Sequence, residues 1–166
     1  LPVFHVGGAA SIVAALCNDA RLALYPGFST QDYWARINRE GATSTSGLIG
    51  SMADFLAGSP PTEADRDNPL RMVTLMLTEQ AIQVARRFGF SYLSGFNMTE
   101  LSGPLIADTD SSVPGSLGRP RDGCACRVVD DHDLPVADGK VGELIVRHDH
   151  PWTHFAGYLN RPDATA

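Results

Sequence analysis

The sequence predicts an α/β fold: a parallel β-sheet with flanking helices over residues 1–100, followed by a small antiparallel β element over residues 101–166. Three observations carry this expectation. Before residue 96, apolar residues at helical spacing alternate with short β-rich runs, the pattern of a parallel sheet with helical cover. After Thr99 the texture changes: Pro, Gly and Asp become frequent and no helical period survives. Two β-rich runs, Ala125–Val129 and Val141–Arg147, are then separated by Asp130–Lys140, which has the polar composition of a turn.

In chain order, Ile12, Val13 and Leu16 share one helical face after the flexible Gly7-Gly8 pair. Arg21–Tyr25 is a short strand candidate closed by Pro26-Gly27. Ser29 or Thr30 caps a helix with the apolar face Tyr33, Trp34 and Ile37, and Gly41 terminates it. Ala42–Ser46 suits a strand. Leu48, Ile49, Met52, Phe55 and Leu56 give the clearest helical face, ended by Gly58. Ser59–Asn68 is a loop rich in Pro and charge. Leu70–Leu77 is a nearly unbroken apolar run, expected as a strand buried on both faces. Thr78 caps a helix with Ala81, Val84, Ala85 and Phe88 inward and Gly89 at its end, and Phe90–Phe96 returns as a strand. At the chain's close, Asn160 as a cap and Pro162 in a first turn mark a helix start.

Composition narrows the function. Of 166 residues, 43% are apolar and 19% charged, a globular balance sufficient for one domain. Lys and Arg number 13 against 19 Asp and Glu, a net charge of −6 with no basic run, which gives no support for nucleic-acid or anionic-membrane partners. The longest apolar stretch, around Ala9–Cys17, is too short to span a bilayer. Three cysteines, an odd count, argue against a disulfide framework and for a reducing compartment, so a cytoplasmic location is expected. The chain opens on Leu1 without a Met and ends as a helix starts, the expectation for a fragment of a longer polypeptide.

Walker-type, G-x-G-x-x-G and G-x-S-x-G motifs are absent. Cys124 and Cys126 form one C-x-C without a second pair, which disfavours a structural zinc site. His148, His150 and His154 cluster with Asp149 and are of ligating type, but a solvated loop at a strand end is the expected reading. The strongest local site is Ser94-Gly95-Phe96-Asn97-Met98-Thr99-Glu100, placed just after a strand of the parallel unit, where open α/β sheets bind ligands. There Thr99 can donate to a phosphate oxygen, Glu100 can offer a hard oxygen to magnesium, and Phe96 can present a face to a purine. The plainer alternative makes Phe96 core and Thr99-Glu100 the cap of a following turn.

Four separated segments together resemble the adenylate-forming superfamily of acyl-CoA synthetases, luciferases and peptide-synthetase adenylation domains. Leu1-Pro2-Val3-Phe4-His5-Val6-Gly7-Gly8 resembles its P-L-F-H-x-x-G, and Phe96-Asn97-Met98-Thr99-Glu100 its Y-G-x-T-E. Gly115-Ser116-Leu117-Gly118-Arg119-Pro120 resembles its G-S-x-G-x-P. Gly142-Glu143-Leu144 with Gly157-Tyr158-Leu159-Asn160-Arg161-Pro162 resembles its G-E-L … G-Y-x-x-x-P. Pro151-Trp152 before Gly157-Tyr158 looks most like the crotonobetaine/carnitine–CoA ligase branch.

The resemblance implies the large N-terminal domain of the acetyl-CoA synthetase-like fold, and an AMP-forming acid–thiol ligase using ATP, Mg²⁺ and coenzyme A on a small carboxylic acid. It implies Thr99 at the α-phosphate and acyl-adenylate, Glu100 on magnesium, Phe96 stacked on adenine, Asn97 lining the adenine or acyl pocket, and His5 at the mouth of the acyl and pantetheine channel. Packed core is the competing expectation for His5. Gly118, Arg119, Glu143 and Gly157 are expected in structural roles. The family's phosphate loop would lie before Leu1, and its ribose-binding Asp, hinge and lid with the catalytic Lys would lie after Ala166, so the segment alone is expected to be inactive. Phe96 stands in the family's Tyr place and Asn97 in its Gly place. A Gly-rich segment that the family carries before the helix at Thr78 has no counterpart after Leu77. A carrier-protein-loading adenylation domain and a non-catalytic nucleotide-binding relic are the alternatives, and a homodimer is compatible with either.

Overall fold

The computed structural model describes residues 2–49 and 51–165. Leu1, Gly50 and Ala166, which fall within the expected first motif, the helix expected from Leu48 and the chain end, lie outside the described residues. The chain divides into two units, Leu1–Ser94 with Ala107–Ser116, and Gly95–Ile106 with Leu117–Ala166.

The first unit is built on three parallel strands, β1 (Ser44–Leu48), β2 (Met72–Leu75) and β3 (Ser91–Leu93), in the order β1-β2-β3. Thr45 pairs with Val73 and Val73 with Tyr92, so one register runs across the sheet. Helix α1 is Val6–Cys17, α2 Tyr33–Glu40, α3 Met52–Ala57 and α4 Glu79–Phe88. Helix α4 follows its sequence signals closely. The Thr78 side chain accepts from Ala81 N–H, Gly89 closes the helix at φ 78°, and Ala81, Val84, Ala85 and Phe88 are buried. Helix α2 likewise ends at Gly41 in the left-handed region, buries Ile37, and stacks Trp34 on Phe88 with ring centroids 4.2 Å apart. Leu48, Leu56, Val73, Leu75, Val84 and Phe88 anchor one continuous apolar core in this unit.

The Ser59–Asn68 loop is tied down by charge and amide groups. Arg87 pairs with Asp65 at 2.6 Å and donates to the Ser59 and Pro60 carbonyls at 2.7 and 2.9 Å. Asp65 also accepts from the Thr62 N–H and hydroxyl, and these donors, led by Arg87, hold its carboxyl near 2. Asn68 donates to the Phe88 carbonyl and accepts from Leu70 N–H, fixing the entry to β2.

Five local expectations are corrected. Gly7 and Gly8 lie inside α1, because His5 caps the helix ahead of them and nucleates its first turn. Arg21–Tyr25 forms no strand, since no strand among the described residues offers it a ladder. It runs beside α2 instead, where Tyr25 donates to Glu40 at 2.7 Å and the Arg36 guanidinium lies 4.6 Å from the Tyr25 ring centre. The helix expected from Leu48 begins only at Met52: Gly47 at φ 87° makes a bulge that seats Leu48 opposite Leu75 as the end of β1, and Phe55 faces solvent. Strand β2 is buried on one face only, with Val73 and Leu75 inward and Thr74 exposed. The strand expected over Phe90–Phe96 is broken at Ser94, whose carbonyl accepts from Ala107 N–H at the point where the chain leaves the parallel sheet.

In the second unit, β4 (Gly95–Met98), β5 (Ser102–Ile106) and β6 (Arg119–Pro120) form an antiparallel sheet in the order β4-β5-β6. The β4–β5 hairpin was not expected. Gly95 is required at its open end, where a Cβ would stand 2.6 Å from the Leu105 carbonyl oxygen. The expected antiparallel pair is β7 (Cys124–Val129) and β8 (Glu143–His148), in register from Cys124–His148 to Val129–Glu143. Between them the Asp130 carboxylate accepts from the His132 and Leu134 N–H groups, an Asx turn that shapes the connection. Pro162 opens the terminal helix α5 (Pro162–Thr165), while Asn160 adopts φ 57° rather than a capping conformation.

Candidate functional site

The β4–β5 hairpin presents the residues singled out from the sequence. Thr99 and Glu100 are the central pair of its turn, closed by Leu101 N–H donating to the Met98 carbonyl at 3.2 Å. Ser102, at φ 59°, takes the left-handed step that returns the chain into β5. The register shifts between Phe96 and Met98, so Asn97 falls in a bulge, exposed and without a rung of its own. Phe96 is half-buried opposite Leu105, neither core nor free, and Thr99 is exposed. Thr99-Glu100 therefore forms the turn itself rather than capping a later one.

Glu100 is clasped by the segment that precedes α5. Its main-chain oxygen accepts from Phe155 N–H at 3.2 Å, and its Oε1 accepts a hydrogen bond from the Tyr158 hydroxyl. The Phe155 and Tyr158 rings pack edge to face, 4.8 Å between centroids. The Tyr158 bond holds the Glu100 carboxyl below the usual glutamate range, and the same bond raises the tyrosine. Glu100 is thus an anion with one oxygen engaged and lone pairs to spare, the donor chemistry that magnesium takes from a single carboxylate when phosphates supply its other ligands. Sequence reasoning did not assign Tyr158 a role. It stood in a quoted motif, but no spacing signal links it to a carboxylate 58 positions earlier.

His5 belongs to the first unit and the Phe96–Glu100 segment to the second. It is exposed rather than packed in the core, and its Nδ1 accepts from Gly7 N–H at 3.0 Å as the N-cap of α1. The histidine cluster divides as well. His148 is engaged by Cys124 and the Leu101 carbonyl, and with His150 and His154 it borders an open cavity of about 850 Å³. Among the described residues, no group of three or more His, Cys, Asp or Glu is placed to hold a metal ion. The three cysteines are free thiols.

The AMP-binding enzyme family matches residues 1–159. The chain belongs to that family. A crotonobetaine/carnitine–CoA ligase of Escherichia coli is 31% identical over 172 aligned residues, covering 100% of this chain and 33% of that protein, and one from Shigella sonnei matches equally. The likeness read from four motifs, with its lean toward that branch, is thereby borne out. The chain spans about a third of the length of these curated relatives. Among solved structures, a benzoate CoA ligase from Burkholderia xenovorans superposes at TM-score 0.82 with 22% identity, over 98% of this chain and 34% of that one. An O-succinylbenzoate coenzyme A synthetase from Bacillus subtilis, solved with ATP and magnesium ion, superposes at 0.75 with 23% identity, over 99% and 34%. These establish the fold as that of the adenylate-forming N-terminal domain. No helix of the described residues is long and apolar enough to cross a membrane.

Proposed function

We propose that this chain is the acid-activating part of a cytoplasmic AMP-forming acyl-CoA synthetase, residues 1–100 and 101–166 being pieces of one AMP-binding domain. The phosphate loop and the lid belong to the rest of that enzyme. The observation that carries the reading is the Thr99-Glu100 turn, with a hydroxyl and a clasped carboxylate side by side in a member of the AMP-binding family. A carboxylate oxygen of a small acid attacks the α-phosphorus of ATP and pyrophosphate leaves. The thiol of coenzyme A then attacks the acyl carbon and AMP leaves. The Thr99 hydroxyl donates to an α-phosphate oxygen, and Glu100 would hold magnesium, with its rotamer fixed by Tyr158. When bound, magnesium supplies charge neutralisation on the phosphates. Phe96 packs against adenine, Asn97 borders the base or acyl pocket, and His5 lies at the mouth of the acyl and pantetheine channel.

The test is pyrophosphate exchange by the enzyme that carries this segment, across acids beginning with crotonobetaine and carnitine, the compounds named for its relatives. Exchange with one acid, lost in Glu100→Gln together with Mg²⁺-dependent nucleotide affinity, supports the proposal. Phe96 and Asn97, in the family's Tyr and Gly places, favour a second reading as a non-catalytic nucleotide-binding relic. In that case Glu100→Gln leaves nucleotide affinity unaltered and no acid supports exchange. Acyl transfer to a carrier protein but not to coenzyme A would assign the other acceptor.

A further inference from the structure

The outermost rung of the β7–β8 pair sets Cys124 opposite His148, with Cys124 Sγ 3.0 Å from His148 Nδ1. The other ring nitrogen, Nε2, lies 3.1 Å from the Leu101 carbonyl oxygen. A carbonyl oxygen only accepts, so the Leu101 contact places the ring proton on Nε2. The neutral imidazole then turns the Nδ1 lone pair toward the Cys124 S–H. A thiol, a base within hydrogen-bond reach and a third group fixing the base's orientation are the three parts of an activated nucleophile. His154 packs edge to face on the His148 ring, centroids 4.6 Å apart, which holds the ring further. The open cavity of about 850 Å³ bordered by His148 and His154 gives solutes an approach to this base.

The other two thiols lack this arrangement. Cys126, two residues along the same face of β7, pairs across the strands with Val146, and burial followed by the neighbouring Cys124 pushes its thiol up. Cys17 is exposed at the end of α1.

We infer that Cys124 is a covalent-modification site: a nucleophilic thiol, activated by His148, that takes soft carbon electrophiles. With an α-halo amide the step balances simply. Cys124 Sγ forms the new S–C bond as the carbon–halogen bond breaks, halide leaves, and the thiol proton passes to His148 Nδ1. Leu101 directly follows Glu100, so the adduct lies at the far side of the imidazole from the hairpin turn. The inference concerns thiol chemistry alone and does not depend on the ligase reading.

The test is timed labelling of the native chain with iodoacetamide, each cysteine followed by peptide mass spectrometry. The expected result is Cys124 labelled about tenfold or more faster than Cys17 despite its lower exposure, with Cys126 slowest, because a positioned base outweighs access. In His148→Gln, Cys124 falls to the Cys17 rate or below while Cys17 keeps its own. Cys17 labelled ahead of Cys124 in the unaltered chain overturns the inference, and so does an equal Cys124 rate in His148→Gln. Should that variant fail to fold, the order of rates in the unaltered chain still decides.

Discussion

Gly142, the glycine of the G-E-L segment, has a physical reason to be glycine, and replacing it tests the packing of the β7–β8 pair directly. A Cβ at this position would stand 2.3 Å from the Val129 carbonyl oxygen and 2.9 Å from Val128 Cγ1. Cβ atoms essentially never approach a heavy atom closer than 3.0 Å, so Gly142→Ala must open the backbone by about 0.7 Å or more against an atom that cannot rotate away. The obstructing carbonyl belongs to Val129, one of the fully buried residues, and Val129 pairs with Glu143 as a rung of the ladder. Overpacking of this kind costs about 2 kcal/mol, and for a chain this long each kcal/mol moves the midpoint by roughly 2–4 °C, so thermal unfolding should shift down by about 4–8 °C. The control is Gly27→Ala, where nothing lies within 4 Å of the added Cβ and φ is not in the left-handed region. That change should be neutral or raise the midpoint slightly by restricting the unfolded chain. Calorimetry or circular dichroism on the two variants separates the cases. A Gly142→Ala midpoint within a degree of the Gly27→Ala value would refute the reasoning.

Other consequences are equally measurable. Thr78→Ala removes the cap of α4 and should cost about 1 kcal/mol in denaturant unfolding, while Thr78→Ser should recover most of it. The Asp65 carboxyl is depressed to about 2 by Arg87, so its contribution is full above the unfolded aspartate value near 4 and is lost as pH falls through 2. Asp65→Asn should therefore be less stable than the unaltered chain at pH 6, and the difference should close between about pH 4 and pH 2, read from unfolding midpoints across that window. Tyr158→Phe removes the donor that lowers Glu100, so the Glu100 carboxyl should titrate upward, toward the ordinary glutamate range, by carboxyl-selective NMR. A Glu100 titration that does not move on loss of the hydroxyl would show that the clasp does not form in solution.

What could be read from the sequence, and what could not, follows from the range of the forces involved. Helix α4 was legible to the residue because each of its signals, the Thr78 cap, the apolar face and the Gly89 stop, acts on residues within about one turn of itself. Arg21–Tyr25 was misjudged because strand formation needs a partner, and β content by itself does not say whether one is near. The β4–β5 hairpin stayed hidden for a different reason. Its turn carries Thr99, Glu100 and Leu101, and the left-handed step falls on Ser102, so the usual Gly or Asn signature of a tight hairpin is missing. The break at Ser94 was hidden for another reason, since a β-rich run cannot show where the chain exchanges one set of partners for another.

The candidate site shows the same division more sharply. Thr99 and Glu100 could be picked out from position alone, where a metal-phosphate role competed with a plain turn, and the family resemblance shifted the weight toward the nucleotide roles. The structure adds a constraint that neither source contains. An exposed turn lets a glutamate sample many rotamers, and each would have to be frozen out when a cation binds. Tyr158 and Phe155 remove much of that freedom beforehand, one on the carboxylate and one on the main chain. Because a carboxylate accepts more than one partner, the tyrosine bond need not be broken for the cation to be held. A residue recruited from 58 positions away thus makes the difference between an acidic turn, which any surface loop can supply, and the oriented carboxylate that the proposed function needs. The G-Y pair of the last motif then has a mechanical meaning: the left-handed Gly157 turns the chain at φ 132°, and Tyr158 reaches the hairpin that the glycine lets it face.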